Sequence, residues 1–301
     1  MDSMTVTVAV VQAGAVMFDS EASVAKASEL TADAAHRGAR LVVFPEAFAG
    51  GYPKGEDFGA RVGSRTPEGR KLFRRYFEGA MEVPSAATEA LGQTAKTHGV
   101  WMVIGVIERD GGTLYCTALF FAPDGRLAGK HRKVMPTAME RVIWGFGDGT
   151  TMPVLETGFG RIGAVICWEN YMPLLRAAMY RQGIQIYCAP TVDDRDTWPI
   201  TMRHVALEGR CFVLSACQYT DRIRGGSLIV GPLGGLIAGP SYGSECILTA
   251  DIDLGEIAEG KFDLDVAGHY ARPDIFRLEV TGMPVESRPA ARPGRTRKIG
   301  R

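Results

Sequence analysis

The feature that most narrows the fold is a rhythm repeated four times: a helical stretch, a glycine near its end, then an apolar strand. It appears as His36-Arg37-Gly38 before Ala39–Phe44 and as Thr97-His98-Gly99 before Val100–Ile107. It returns as Arg181-Gln182-Gly183 before Ile184–Cys188 and as Leu207-Glu208-Gly209 before Arg210–Cys217. Glycine just past a helix end takes the left-handed conformation without a Cβ clash, so each reads as a helix stop. His36 and His98 then sit where a helix C-terminus favours a cation. The predicted helices are Glu21–Arg37, Ser85–Thr97, Pro173–Gln182 and Thr201–Glu208.

Hairpin signals lie between these units, at Glu108–Thr113, Ala122–Arg126 and Gly225–Leu236, where Gly and Asp suit tight turns. The order is therefore β-α-β-α-β-β, twice. Hairpins demand antiparallel pairs, which a single doubly wound sheet lacks. The reading is an α/β protein whose two pseudo-repeated halves form two sheets face to face, with helices outside, a four-layer α-β-β-α sandwich. Residues 1–284 are expected to form one domain. Residues 285–301, with six basic side chains against Glu286 and little that is apolar, are expected to be a disordered basic tail. Lys54–Pro84 breaks the rhythm as a charged, glycine-rich insertion, within which Arg70–Phe77 predicts a short amphipathic helix.

Charge narrows the function classes. The chain of 301 residues carries 34 basic and 34 acidic side chains, so a positive tail leaves an acidic body, which argues against a nucleic-acid groove. No apolar run reaches the roughly 18 residues that span a bilayer, and Met1-Asp2-Ser3-Met4 lacks a basic segment followed by an apolar stretch, so no signal peptide is read and a cytoplasmic location is expected. Six cysteines show neither CxxC pairs nor metal spacing, so no metal site is read from them. Five of them, Cys116, Cys188, Cys211, Cys217 and Cys246, sit in apolar or strand-like runs as small hydrophobes.

Cys167 differs. The apolar run Arg161–Ile166 stops at Cys167-Trp168-Glu169-Asn170, placing a thiol where a buried strand emerges into a loop. Leu41–Pro45 delivers Glu46 in the same way, and the strand after the Ala122–Arg126 turn leads to Lys130-His131-Arg132-Lys133. Thiol, carboxylate and ammonium are the groups that covalent attack on an electron-poor carbon requires. A Cys–His pair is the rival, with His131 the one histidine near these residues; it reads better as a loop support. Gly145–Gly149 lacks the preceding strand and the spacing of a phosphate loop and reads as turn glycines.

Four segments in order, Phe44-Pro-Glu-Ala-Phe48 with Gly50–Gly55, His131–Thr137, and Cys167–Asn170, resemble the signatures of the carbon–nitrogen hydrolase (nitrilase) superfamily. The likeness runs from the first strand to about Glu279. Trp168-Glu169 after the cysteine, and Glu140–Gly149, resemble the nitrilase branch rather than the amidases, which carry Tyr-Asp there. The resemblance implies that superfamily's sandwich and hydrolysis of a nitrile to a carboxylic acid and ammonia without metal or organic cofactor. It implies Cys167 as nucleophile, Glu46 as general base, Lys133 as cation beside the forming charge on nitrogen, and Glu140 orienting water. Trp168, Tyr52, Trp198 and His131 are candidates for substrate or oxyanion contact. It also implies self-association as a homodimer or larger spiral through the helix after Cys167, whose stripe Met172, Leu175, Met179 and Tyr180 is core or interface. Action on cyanide or an amide, or an idle assembly protein, are the alternatives.

Overall fold

The structure, a computed structural model, describes residues 5–281; the basic tail lies outside them. The first half runs β1 (Thr5–Gln12), α1 (Ser20–His36), β2 (Leu41–Val43), α2 (Pro67–Glu78), α3 (Ala86–His98), β3 (Trp101–Asp110), β4 (Thr113–Phe121) and β5 (Leu127–Arg132). The second runs β6 (Val154–Glu156), β7 (Arg161–Ala164), α4 (Pro173–Arg181), β8 (Ile186–Cys188), α5 (Thr197–Gly209), β9 (Phe212–Ser215), β10 (Tyr219–Thr220), β11 (Ile223–Val230), β12 (Leu236–Tyr242), β13 (Cys246–Asp253) and α6 (Gly255–Asp263). Short 3-10 turns at Ala138–Val142 and Cys167–Tyr171 complete it.

The first sheet has the order β13-β1-β2-β3-β4-β5, and the second β10-β11-β9-β8-β7-β6 with β12 on β11. In each, parallel strands form the centre (β1-β2-β3 and β7-β8-β9) and hairpins extend it. Alternation along the strands builds the layers. Val8, Val10, Leu41, Val43 and Val103 of the first sheet share one buried cluster with Ile186, Phe212, Leu214 and Ile229 of the second. Their neighbours Ala9, Val11, Val42 and Ile104 face Ala27, Leu91 and Ala95 of α1 and α3. Tyr187 and Val213 pack with Met179, Met202 and Val205 of α4 and α5. Three apolar seams separate four layers, the α-β-β-α sandwich.

Three of the helix-ending glycines do what the sequence suggests: Gly38, Gly99 and Gly183 have φ of 89°, 64° and 77°. Gly209 does not. It ends α5, and Arg210 takes the left-handed conformation at φ 46°. A Cβ on Gly209 would lie 2.3 Å from Tyr180 Cε1, so this glycine serves the contact between α4 and α5 rather than the stop. α5 also begins four residues earlier than the sequence suggests. In the insertion, α2 extends the predicted Arg70–Phe77 helix at both ends and buries Tyr76, whose hydroxyl bonds Gly51 O at 3.1 Å. On α4, Leu175, Met179 and Tyr180 are core, whereas Leu174 is 72% exposed.

Candidate active site

Glu46 follows β2 in a segment that continues alongside β3 and bulges over its middle. Gly105 N–H donates to Pro45 O at 3.1 Å and Ala49 N–H to Gly105 O at 3.1 Å. A Cβ on Gly105 would fall 2.3 Å from Pro45 O and 2.7 Å from Glu46 Cα, so the close approach needs glycine there. Gln218, buried beyond β9, donates its amide to Glu46 O at 2.7 Å. The carboxylate is thus held through its own main chain.

Lys133 comes one residue after β5 and is fully buried. Its Nζ lies 2.6 Å from Glu46 Oε1 and 2.8 Å from Glu140 Oε2, bridging the two. Glu140 sits in the Ala138–Val142 turn, where its side chain also accepts Thr137 N–H at 2.6 Å and the Tyr52 hydroxyl at 2.8 Å. The Gly145–Gly149 loop braces this strand end: Gly147 N–H donates to Lys133 O at 2.8 Å.

Cys167 opens the turn after β7 with a positive φ of 49°, a conformation that a non-glycine residue adopts only when its surroundings enforce it. Here Cys167 N–H donates to Pro190 O at 2.8 Å, and Asn170 Nδ2 holds Cys167 O at 2.8 Å and Val165 O at 3.0 Å. Thr191 Oγ1 donates to the sulfur at 3.1 Å. Glu46 Oε2 is buried without a hydrogen-bond partner, and Cys167 is among the groups that act on the Glu46 carboxyl.

Burial dominates the electrostatics. It raises Glu46 above the ordinary 4.5, against the pull of Lys133. It pushes the Cys167 thiol well above 9.0, Glu46 adding to the rise while Lys133 and Thr191 oppose it. Burial also works against the Lys133 charge, but Glu46, Cys167, Cys116 and Glu140 outweigh it and hold the ammonium well above 10.5. A lone cation beside a thiol lowers its pKa. The resting site instead holds a neutral thiol, because lost hydration and a neighbouring carboxylate exceed the single cation.

Of these groups Cys167 and Glu140 help to line a cavity of about 320 Å³, together with Tyr52 and Trp168 and with Phe58, Met139, Val142 and Ile143 among its apolar walls; Glu46 and Lys133 are buried outside that lining. Trp168 is pinned on two sides: its Nε1 donates to Asp193 Oδ2 at 2.9 Å, and the Arg195 guanidinium lies 4.6 Å from the ring centre. Two candidate contact residues fall elsewhere. Trp198 is fully buried with its Nε1 on Ser215 Oγ at 2.9 Å, a core residue of α5. His131 does not line the cavity: Nε2 is 2.9 Å from Glu169 and Nδ1 donates to Thr151 O at 2.7 Å. Thr191, Gln218, Gly105 and Glu169 were not singled out by the sequence for any role. All six cysteines are free, five of them buried, and among the described residues no cluster of three or more His, Cys, Asp or Glu is arranged to hold a metal.

A carbon–nitrogen hydrolase profile matches residues 7–262. The chain belongs to the carbon–nitrogen hydrolase family. Within that family it is 58% identical over 295 residues to an aliphatic nitrilase of Sinorhizobium fredii, spanning 92% of this chain and 96% of that one. It is 58% identical over 299 residues to a nitrilase of Bradyrhizobium diazoefficiens (93% of each chain). A bifunctional nitrilase/nitrile hydratase of Lupinus angustifolius shares 52% over 304 residues, 93% of this chain and 87% of that one. Among solved structures, a mutant form of the Nesterenkonia AN1 amidase superposes with TM-score 0.71 at 21% identity, covering 86% of this chain and 94% of that one. Saccharomyces cerevisiae Nit3, a member of branch 10 of the nitrilase superfamily, gives 0.71 at 23%, covering 89% and 97%. These two likenesses establish the shared carbon–nitrogen hydrolase fold.

Proposed function

We infer that this chain is a nitrilase, converting an organic nitrile and two waters to a carboxylic acid and ammonia through a thioimidate and then a thioester on Cys167. The observation that carries the reading is Lys133 Nζ bridging Glu46 and Glu140 at 2.6 and 2.8 Å, with Glu140 and the Cys167 thiol both lining the cavity. Glu46 takes the thiol proton as sulfur attacks the nitrile carbon, then passes it to nitrogen. A base whose affinity for protons has been raised by burial suits that transfer, and such help is worth about 10²–10⁴ in rate. Lys133 faces the nitrogen as it gains charge, with the main-chain N–H of Trp168 as a second donor. Glu140, fixed by Tyr52 and Thr137, orients the first water. The tetrahedral adduct expels ammonia to leave the thioester, and a second water releases the acid and restores the thiol. Expulsion of sulfur from that adduct instead of ammonia would release an amide, the outcome that the name of the Lupinus relative makes worth measuring.

No helix among the described residues is long and apolar enough to cross a membrane; we further read the enzyme as cytoplasmic and self-associating. The deciding experiment is an ammonia-release screen over aliphatic, arylaliphatic and aromatic nitriles and their amides, beside Cys167→Ala. Release from at least one nitrile is expected, falling by at least about 10³-fold in the variant. Activity confined to amides or cyanide, or surviving without the thiol, overturns the reading.

A further inference from the structure

We propose that the buried His131–Glu169 pair is a positioning joint that clamps the Lys133 strand end to the Cys167 turn and so holds cation, base and nucleophile in one register. The proposal rests on the nitrilase reading for the roles of those three groups. Both side chains are sealed, at 1% and 0% exposure, and spend their polar atoms on each other and on the main chain beside Lys133 and Cys167, so they act through those residues.

The geometry of Glu169 is what makes it a joint. One oxygen, Oε1, accepts Val134 N–H, the amide directly after Lys133. The other, Oε2, accepts Ile166 N–H at 2.9 Å, the amide directly before Cys167, and His131 Nε2 at 2.9 Å. A single carboxylate therefore ties the main chain of two catalytic residues that lie 34 positions apart. His131 anchors the joint from β5, its Nδ1 donating to Thr151 O at 2.7 Å. Thr151 in turn accepts Arg132 N–H at 3.2 Å through its hydroxyl, so the ring cannot swing without disturbing the strand that delivers Lys133.

Nδ1 donates to Thr151 O, and an ionised Glu169, which also takes two amides, accepts a hydrogen from Nε2, so the two groups pair as imidazolium and carboxylate. The surroundings agree. Burial opposes charge on both, yet Glu169 raises His131 above 6.5, and His131 with the two amides lowers Glu169 below 4.5. A pair of this kind stabilises little relative to apolar packing, but loss of one partner strands the other charge in the interior. Its worth here is register, and a displacement of about 1 Å at the reacting atoms can cost about 10² in rate.

The test compares Glu169→Gln, His131→Gln and the double variant, all close in size to the parent. Each single change is expected to lower kcat at least tenfold with KM within threefold. The double is expected to be no worse than the worse single, because the joint works as a unit. A second readout needs no nitrile: the rate of Cys167 alkylation by iodoacetamide, followed by peptide mass, is expected to fall at least tenfold in each single variant. Should Glu169→Gln not fold, His131→Gln decides by the same two readouts. Turnover and alkylation both within twofold of the parent, or single losses that multiply in the double, overturn the joint. A parent inert to every nitrile sinks the proposed activity instead, and alkylation still judges the joint.

Discussion

Lys133 sits between two buried carboxyl groups, Glu46 and Glu140, beside a thiol that burial raises well above its ordinary range. That arrangement sets the direction of the site's pH response. Glu46 must be unprotonated to receive the thiol proton, and burial, with the nearby Glu140 charge, raises its carboxyl above 4.5. The groups facing it are Lys133, Glu140, Cys167 and Cys116. As pH falls through the raised value Glu46 gains a proton and the base is lost. The acid limb of kcat/KM is therefore expected above 4.5, and Glu140→Gln, which removes one charge that raises Glu46, is expected to move the limb of its residual activity downward. A limb at or below the ordinary carboxylate value, or one that Glu140→Gln leaves in place, contradicts this account. The residues of the site were legible as polar groups at the ends of apolar strands, and the ordered motifs suggested the roles proposed for them. The direction of the thiol shift was not, since it depends on how completely water is excluded. Trp198 and His131 were misplaced for a related reason: an aromatic or imidazole ring near a motif carries no sign of the face it turns to.

Among the elements, β3 shows why a strand glycine matters to chemistry. Its alternating side chains fill two seams at once, Val103 and Ile107 inward and Ile104 and Val106 outward, and Gly105 interrupts them where the Glu46 segment bulges over the strand. An added methyl must displace Pro45 O or the Glu46 backbone, both within 2.7 Å of the new atom. Overpacking of this kind costs about 1–3 kcal/mol, which lowers Tm by roughly 2–10 °C in a chain of this size. Gly105→Ala is expected to show that shift together with a fall in kcat of about 10². Gly112→Ala, whose Cβ meets nothing within 4 Å, is the control and should keep both. Differential scanning and initial rates decide it; an active Gly105→Ala would mean that Glu46 tolerates the displacement. The sequence made glycines legible as helix stops, because that role is local. It gave no warning of Gly105 or Gly209, whose need comes from a distant backbone or from Tyr180.

At the scale of the molecule, the local rhythm predicted both halves and the four layers but not how the halves are stitched. β11 and β12 pair within the second sheet, while β13 leaves it and runs antiparallel along β1, from Thr5 opposite Asp253 to Gln12 opposite Cys246. Hairpin chemistry between β12 and β13 would have kept them together; the unpaired edge of β1, invisible in local pattern, takes β13 instead. What the sandwich leaves outside bears on assembly. Beside the Cys167 turn, Tyr171 is 40% exposed, Leu174 on α4 is 72% and Ile200 on α5 is 69%. The hydroxyls of Tyr171 and Thr201 meet at 3.2 Å, joining the turn to α5 at this face. Large apolar side chains grouped on a surface mark an association site more often than bare solvent, and this one adjoins the nucleophile through the T-shaped contact of Tyr171 with Trp168. If a second copy covers it, dilution should lower turnover per chain as dimers part. Leu174→Glu with Ile200→Glu should give a smaller species by light scattering, with kcat reduced at least tenfold and the fold intact by circular dichroism. A parent that stays fully active as a demonstrated monomer would show that the sandwich alone sets the catalytic turn and that this apolar face has another purpose.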